Sequence, residues 1–97
     1  MDAGKKTHEQ CWRLPLPEEY KELLKSHFAD IQNIGKTRWA GAIVAALFLS
    51  EFVGDTCWAH IDIAGPAYTT KETDYCGIGG TGFGVRLLCD LLTKMDL

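Results

Sequence analysis

The sequence has no apolar run of the roughly 20 residues that a helix needs to cross a bilayer. Its longest, the eleven residues from Trp39 to Leu49, is stopped by Ser50 and Glu51, so no membrane partner is expected. Basic charge is not in excess either. A net charge of -3 and a pI near 5.5 offer phosphate backbones and anionic bilayers no general attraction, so nucleic acid is not an expected partner. Met1 to Gln10 contains no apolar h-region, nothing there marks a secretory signal, and a cytoplasmic setting follows. Cys11, Cys57, Cys76 and Cys89 include no C-x-x-C pair, and in a reducing compartment such widely spaced thiols are expected to be free and structural. There is no G-x-S-x-G elbow, Ser26 and Ser50 have no neighbouring base, and no repeat or low-complexity tract appears.

What is there is an ordinary globular composition, 46% hydrophobic and 24% charged, in a chain of 97 residues that can hold one small domain at most. Residues 1–10 read as a solvated tail. Pro17 can open a helix, with Glu18 and Glu19 at the positive end of its dipole, and Tyr20, Leu23, Leu24 and Phe28 recur at helical spacing over about three turns. A second helix is expected over 37–53, apolar on every side and therefore suited to the inside of a larger domain. Cys57 to Gly65 reads as a β-strand in which Ile61 and Ile63 alternate with His60, Asp62 and Ala64 before Gly65-Pro66 ends it. A lone strand leaves its backbone groups unpaired, so partners from outside the chain are expected. Pro66 to Gly80 follows as a long irregular loop. Thr81 then caps a last helix whose Arg86, Asp90 and Lys94 form a charged stripe facing water.

Four constellations invite chemistry. Gly77 to Gly82 fits G-x-G-x-x-G, but it follows a polar loop instead of a strand, and the bland alternative is a flexible loop feeding a helix. His60 and Asp62 share a strand face and would suit a metal or an acid/base pair. With no third donor at suggestive spacing, a structural pair holding the strand and the loop after it is the competing reading. Glu18 and Glu19 point in different directions on a helix and suit its first turn. Lys36 and Arg38 could hold a substrate carboxylate or simply be solvated.

Trp12 to Leu16, Ala29 to Gly35 and Trp58 to Gly65, together with Ala40 to Ile43, Ala45 to Leu49 and Gly80 to Arg86, resemble the C-terminal part of the cytosol (leucyl) aminopeptidase family, in the right order and spacing. The resemblance implies an α/β fold, with this chain a fragment of a mixed-sheet α/β catalytic domain that holds about three helices and one or two strands. Residues 11–97 would be the C-terminal portion of that domain. It implies a homo-hexamer that hydrolyses N-terminal residues from peptide substrates with two divalent metal ions, zinc or manganese. The carboxylates and lysine that ligate those ions in the family, and its catalytic arginine, lie in upstream motifs absent here, so no catalytic residue or metal ligand is expected in this chain and it is expected to be inactive alone. Three positions carry over as substrate-binding residues. Ile34, by the match of Asn33 to Lys36, would line the pocket for the residue after the cleaved bond, and Ala64 and Ala67 the pocket for the N-terminal side chain, leaving room for a bulky apolar group such as leucine. The alternative for Ile34 and Ala64 is a place in the core. Lys36-Thr37-Arg38 is longer than the Gly-Gly-Arg form of bacterial members.

Two further hypotheses stand beside a metal-dependent aminopeptidase segment. One is a non-catalytic interaction module docking on an intact aminopeptidase subunit through its unpaired strand edge and apolar helix. The other is a small nucleotide-binding protein built on the glycine loop.

Overall fold

The computed structural model describes residues 1–95 and divides into two compact units, one made of Met1–Arg13 with the chain from Asp62 onward, the other of Leu14–Ile61. In chain order the elements are helix α1 (Asp2–Thr7), a 3-10 helix (Glu18–Leu24), helix α2 (Gly41–Ser50), strands β1 (Tyr68–Thr69) and β2 (Gly79–Gly80), and helix α3 (Val85–Leu92).

In the Leu14–Ile61 unit, Pro17 stands extended just before the 3-10 helix and Glu18 and Glu19 occupy its first turn, as the dipole argument requires. The expected three-turn α-helix does not form. The Ser26 hydroxyl oxygen accepts the N–H groups of Phe28 and Ala29 at 3.3 and 3.2 Å, offering the backbone a local alternative to helix. Gln32 then takes the carbonyls a longer helix would have used: its backbone N–H donates to Leu24 O at 2.8 Å and its Nε2 to Leu23 O at 3.0 Å. Phe28, expected on the buried face, is 98% exposed.

Helix α2 is shorter than the expected span of 37–53. Ala40, at φ 55°, is left-handed and sets the start, and its carbonyl accepts the Val44 N–H at 2.9 Å. At the other end Ser50 Oγ donates to Leu47 O at 2.7 Å and the chain leaves in turns. Leu24, Val44 and Leu47 form the core of this unit, with Leu23, Ala40, Ile43 and Phe48 packed around them. Lys21 bridges Glu18 and Glu51 at 2.9 and 2.8 Å, tying the 3-10 helix to the end of α2.

Cys57 to Gly65, expected as a strand, makes no ladder. A strand exists only through its partner's hydrogen bonds, and none among the described residues supplies them. Trp58 and His60 are half-buried with ring centroids 6.2 Å apart, while Ile61 and Ile63 are each 41% exposed.

In the other unit the expected solvated tail is helical. α1 packs on α3, with Ala3, Gly4 and Leu87 buried. Of the charged stripe of α3, expected in water, Asp90 faces α1, while the Arg86 and Lys94 side chains stay more than half exposed. Lys6 Nζ reaches Asp90 Oδ1 at 2.7 Å and Lys94 Nζ reaches Oδ2 at 2.6 Å, leaving the Asp90 side chain only 13% exposed. The expected irregular loop holds a small hairpin, with Tyr68 opposite Gly80 and Thr69 opposite Gly79 antiparallel, tipped by a bridge between Thr73 and Cys76. α3 is capped by Gly84 at φ 99°, which glycine adopts without strain, and not by Thr81.

Leu47→Ala, which opens a cavity beneath α2, is expected to cost roughly 2–5 kcal/mol, against no more than about 0.5 kcal/mol for Phe28→Ala on the surface. Urea denaturation of the two variants beside wild type measures both. Gly4→Ala should destabilise despite a helix-propensity gain of about 1 kcal/mol, because the new Cβ would sit 2.6 Å from Glu9 O and 3.3 Å from Leu87 Cδ1. A raised melting temperature for that variant would contradict the close approach of α1 to α3.

Candidate functional site

Ala64 and Ala67, carried over as pocket residues, open and close one turn, Ala64–Ala67. Asp62 starts it by accepting the Ala64 N–H on Oδ1 at 3.0 Å, and the Ala67 N–H closes it on Ile63 O at 2.9 Å. In this chain Ala64 is exposed and Ala67 half-buried. From across the hairpin Thr81 holds the same turn. Its hydroxyl donates to Pro66 O and its N–H donates to Ala67 O at 2.9 Å, while its Oγ1 accepts the Phe83 N–H at 3.2 Å. Ile34 belongs to the other unit. It is 76% exposed in this chain and follows Asn33, which with Phe28, Phe48 and Phe52 lines a groove of about 420 Å³.

The turn borders a shallow cavity of about 160 Å³ whose wall includes Pro66, Thr73, Tyr75, Thr81, Glu9 and Arg86. The Arg86 guanidinium carbon lies 5.7 Å from the Tyr75 ring centroid, a cation–π contact. Arg86 Nε donates to Glu9 Oε1 at 3.3 Å, and Glu9 Oε2 accepts the Leu87 N–H at 2.8 Å, at the first turn of α3. Glu9 is 3% exposed. Burial pushes its carboxyl up, but the Leu87 N–H, the Arg86 guanidinium and the Gly84 N–H outweigh burial and hold it below its ordinary value. Hydrogen bonds from Lys6 and then Lys94 hold Asp90 low as well, and Asp90 in turn raises Lys6. Sequence reasoning missed Glu9, an acid in a polar stretch with no periodicity to mark it. Thr81 was expected at the right helix but in the wrong role; the signal available was its place among glycines, which leaves one side chain to make the loop's contacts.

His60 and Asp62 do separate work, His60 beside the Trp58 ring and Asp62 in the Ala64 turn. Among the described residues no group of three or more His, Cys, Asp or Glu side chains is placed to hold a metal ion. The carboxylates best fixed in place, Glu9 and Asp90, are already committed to N–H and ammonium donors. The residues present therefore do not fit a two-metal centre. All four cysteines are free thiols.

Against known proteins, the model of the cytosol aminopeptidase family, catalytic domain, matches residues 1–89. A probable cytosol aminopeptidase of Wolbachia pipientis is 50% identical over 97% of this chain and 19% of its own length. One from Trichormus variabilis is 56% identical over 91% of this chain and 18% of its own length. The crystal structure of the cytosol aminopeptidase from Coxiella burnetii superposes with a TM-score of 0.86 at 42% identity, covering 97% of this chain and 20% of that one. The chain thus spans about a fifth of the length of the relatives it matches.

The lowered carboxyls of Glu9 and Asp90 contribute stability above the ordinary carboxylate range, lost as pH falls through their folded values. The raised Lys6 contributes below the ordinary lysine value and is lost as pH rises through its folded one. The melting temperature is expected to be level near neutrality and to fall at acid pH, below about 4–5. Glu9→Gln should lower the neutral plateau and flatten the acid limb; an unchanged acid limb in a pH series of thermal melts would contradict the assignment.

Proposed function

The chain belongs to the cytosol aminopeptidase family, and on that premise we propose that it is the C-terminal scaffold and part of the substrate pocket of a metal-dependent leucyl aminopeptidase that removes N-terminal residues from peptides. One observation carries the pocket role. The Ala64–Ala67 turn presents two small side chains on a backbone closed at both ends, by Asp62 and by Ile63 O. Small side chains on a fixed backbone leave room for a large apolar group, in keeping with leucine. Ile34, exposed in the other unit, would face the residue beyond the scissile bond.

The scaffold role is supported by which faces are covered. On α3 the charged residues Asp90 and Arg86 are engaged by Lys6 and Glu9 of the N-terminal segment, whereas Val85, Leu88, Leu91 and Leu92 are 62%, 43%, 41% and 53% exposed. Apolar residues left that exposed suit a helix that packs against further protein. The unpaired stretch from Cys57 to Ile63 suits a strand that joins a sheet built by other segments. Two zinc or manganese ions, homo-hexamer assembly, a cytoplasmic location and catalysis itself belong to this proposal for the whole enzyme, with the ligands for the ions supplied outside this chain.

The purified chain is expected to release no p-nitroaniline from leucine p-nitroanilide with zinc or manganese added. The Coxiella burnetii enzyme carrying residues 1–89 in place of the segment they match should be active. In that chimera Ala67→Phe is expected to raise KM for the leucyl substrate by roughly 10-fold or more relative to the alanyl one. Hydrolysis by the chain alone, or an unchanged leucyl-to-alanyl ratio in the variant, would overturn the respective half. Capture of an intact aminopeptidase subunit by the chain, with an inactive chimera, would favour the docking module.

A further inference from the structure

We propose that Thr81 is a positioning residue that sets the wall formed by Ala64 and Ala67, an inference that rests on the pocket role given above. One residue holds two successive carbonyls of that turn from 15 and 14 positions away: its hydroxyl donates to Pro66 O, and its backbone N–H donates to Ala67 O at 2.9 Å. The turn's own closing bond, from the Ala67 N–H to Ile63 O, uses neither of these carbonyls, and among the described residues the donor to each is Thr81. The hydroxyl does a second task. A threonine Oγ has one proton to give and lone pairs to accept, and here it gives the proton to Pro66 while accepting the Phe83 N–H at 3.2 Å. Phe83 enters the turn that leads into α3, whose first turn Glu9 grips through the Leu87 N–H. The pocket wall is thereby linked to the α1–α3 pair through a single side chain.

Valine has the shape of threonine without the donor or acceptor, and serine keeps both, so the two substitutions separate hydrogen bonding from packing. The hydrogen bonds that Thr81 makes to Pro66, Ala67 and Phe83 all go to backbone groups of this chain. Its loss should therefore act on how the N-terminal side chain is held and not on the chemical step. In the Coxiella burnetii chimera carrying residues 1–89, Thr81→Val is expected to raise KM for leucine p-nitroanilide roughly three- to tenfold, the worth of one or two net hydrogen bonds. It should leave kcat within about twofold, and Thr81→Ser should restore the wild-type KM. In the chain itself, hydrogen exchange of the Ala67 amide should quicken in Thr81→Val and not in Thr81→Ser, while the Leu47 amide in α2 is unchanged.

An unaltered Ala67 exchange rate, equal damage from serine and valine, or kcat falling with KM constant would overturn the positioning role. Quickened exchange at Ala67 with KM unchanged in an active chimera would overturn the pocket wall but not the tether. Quickened exchange beside an inactive wild-type chimera would overturn the aminopeptidase reading alone.

Discussion

The carboxylate of Glu9, buried at the first turn of α3, is the contact on which the unit holding both α1 and α3 depends. Neither helix can stand alone: six and eight residues are far below the length at which isolated helices form in water. Glu9 joins Leu87 across 78 positions. Closing a flexible loop of that length costs roughly 4 kcal/mol of chain entropy, while a single hydrogen bond returns about 0.5–1.5 kcal/mol. No one contact suffices, so the Lys6–Asp90 pair, the packing of Gly4 on Leu87 and the Glu9 cap must form together. The anion sits where the helix dipole and two charged or N–H donors favour it, which is why a carboxylate can be buried there.

The same economy explains what is left open. In its own unit α2 is apolar on every side, yet one short 3-10 helix covers it, and a single neighbour shields only one stripe of a helix. Leu47 is 1% exposed while Leu49 on the same helix is 41% exposed. On α3 the covered residues are Leu87 and, in part, Asp90. A self-sufficient domain would put Leu88 and Leu91 inside; here they are 43% and 41% exposed, because among the described elements α3 packs on α1, whose Lys6 draws Asp90 in.

How much of this was readable follows from the range of the interactions. The helices over 41–50 and 85–92 were legible because their signal is local, an apolar run and a 3.6-residue stripe. The strand expected over Cys57 to Gly65 was not: its alternating pattern is local, but a strand needs a ladder, and no described residue pairs with it. The limits of the elements were not legible, since they are set by side chains acting at short range against propensity: Ser26 and Gln32 end the 3-10 helix, and a left-handed Ala40 starts α2. α1 was missed because Asp2 to Thr7 has no apolar periodicity; it is helical on account of α3, far along the chain. Of the candidate site, Ala64 and Ala67 came from family resemblance, whereas the tether from Thr81 needed the hairpin, two two-residue strands with no apolar alternation to announce them.

The glycine pattern from Gly77 to Gly82, with Gly84 just beyond it, is where sequence and structure part most usefully. As a motif it fits a phosphate-binding loop, in which glycines let a ligand approach the backbone. Here Gly79, Gly82 and Gly84 have φ of 126°, 67° and 99°, and a Cβ at any of them would meet nothing within 4 Å. The requirement is one of dihedral angle, not of room. Gly79 lets β2 pair in register with β1, and Gly82 and Gly84 turn the chain from the hairpin into α3. Between them Thr81 is left as the one side chain able to bond the facing turn. The α3 N–H that a phosphate would seek is already occupied by Glu9. Gly79, Gly82 and Gly84 thus each have a reason in the path of this chain that involves no nucleotide.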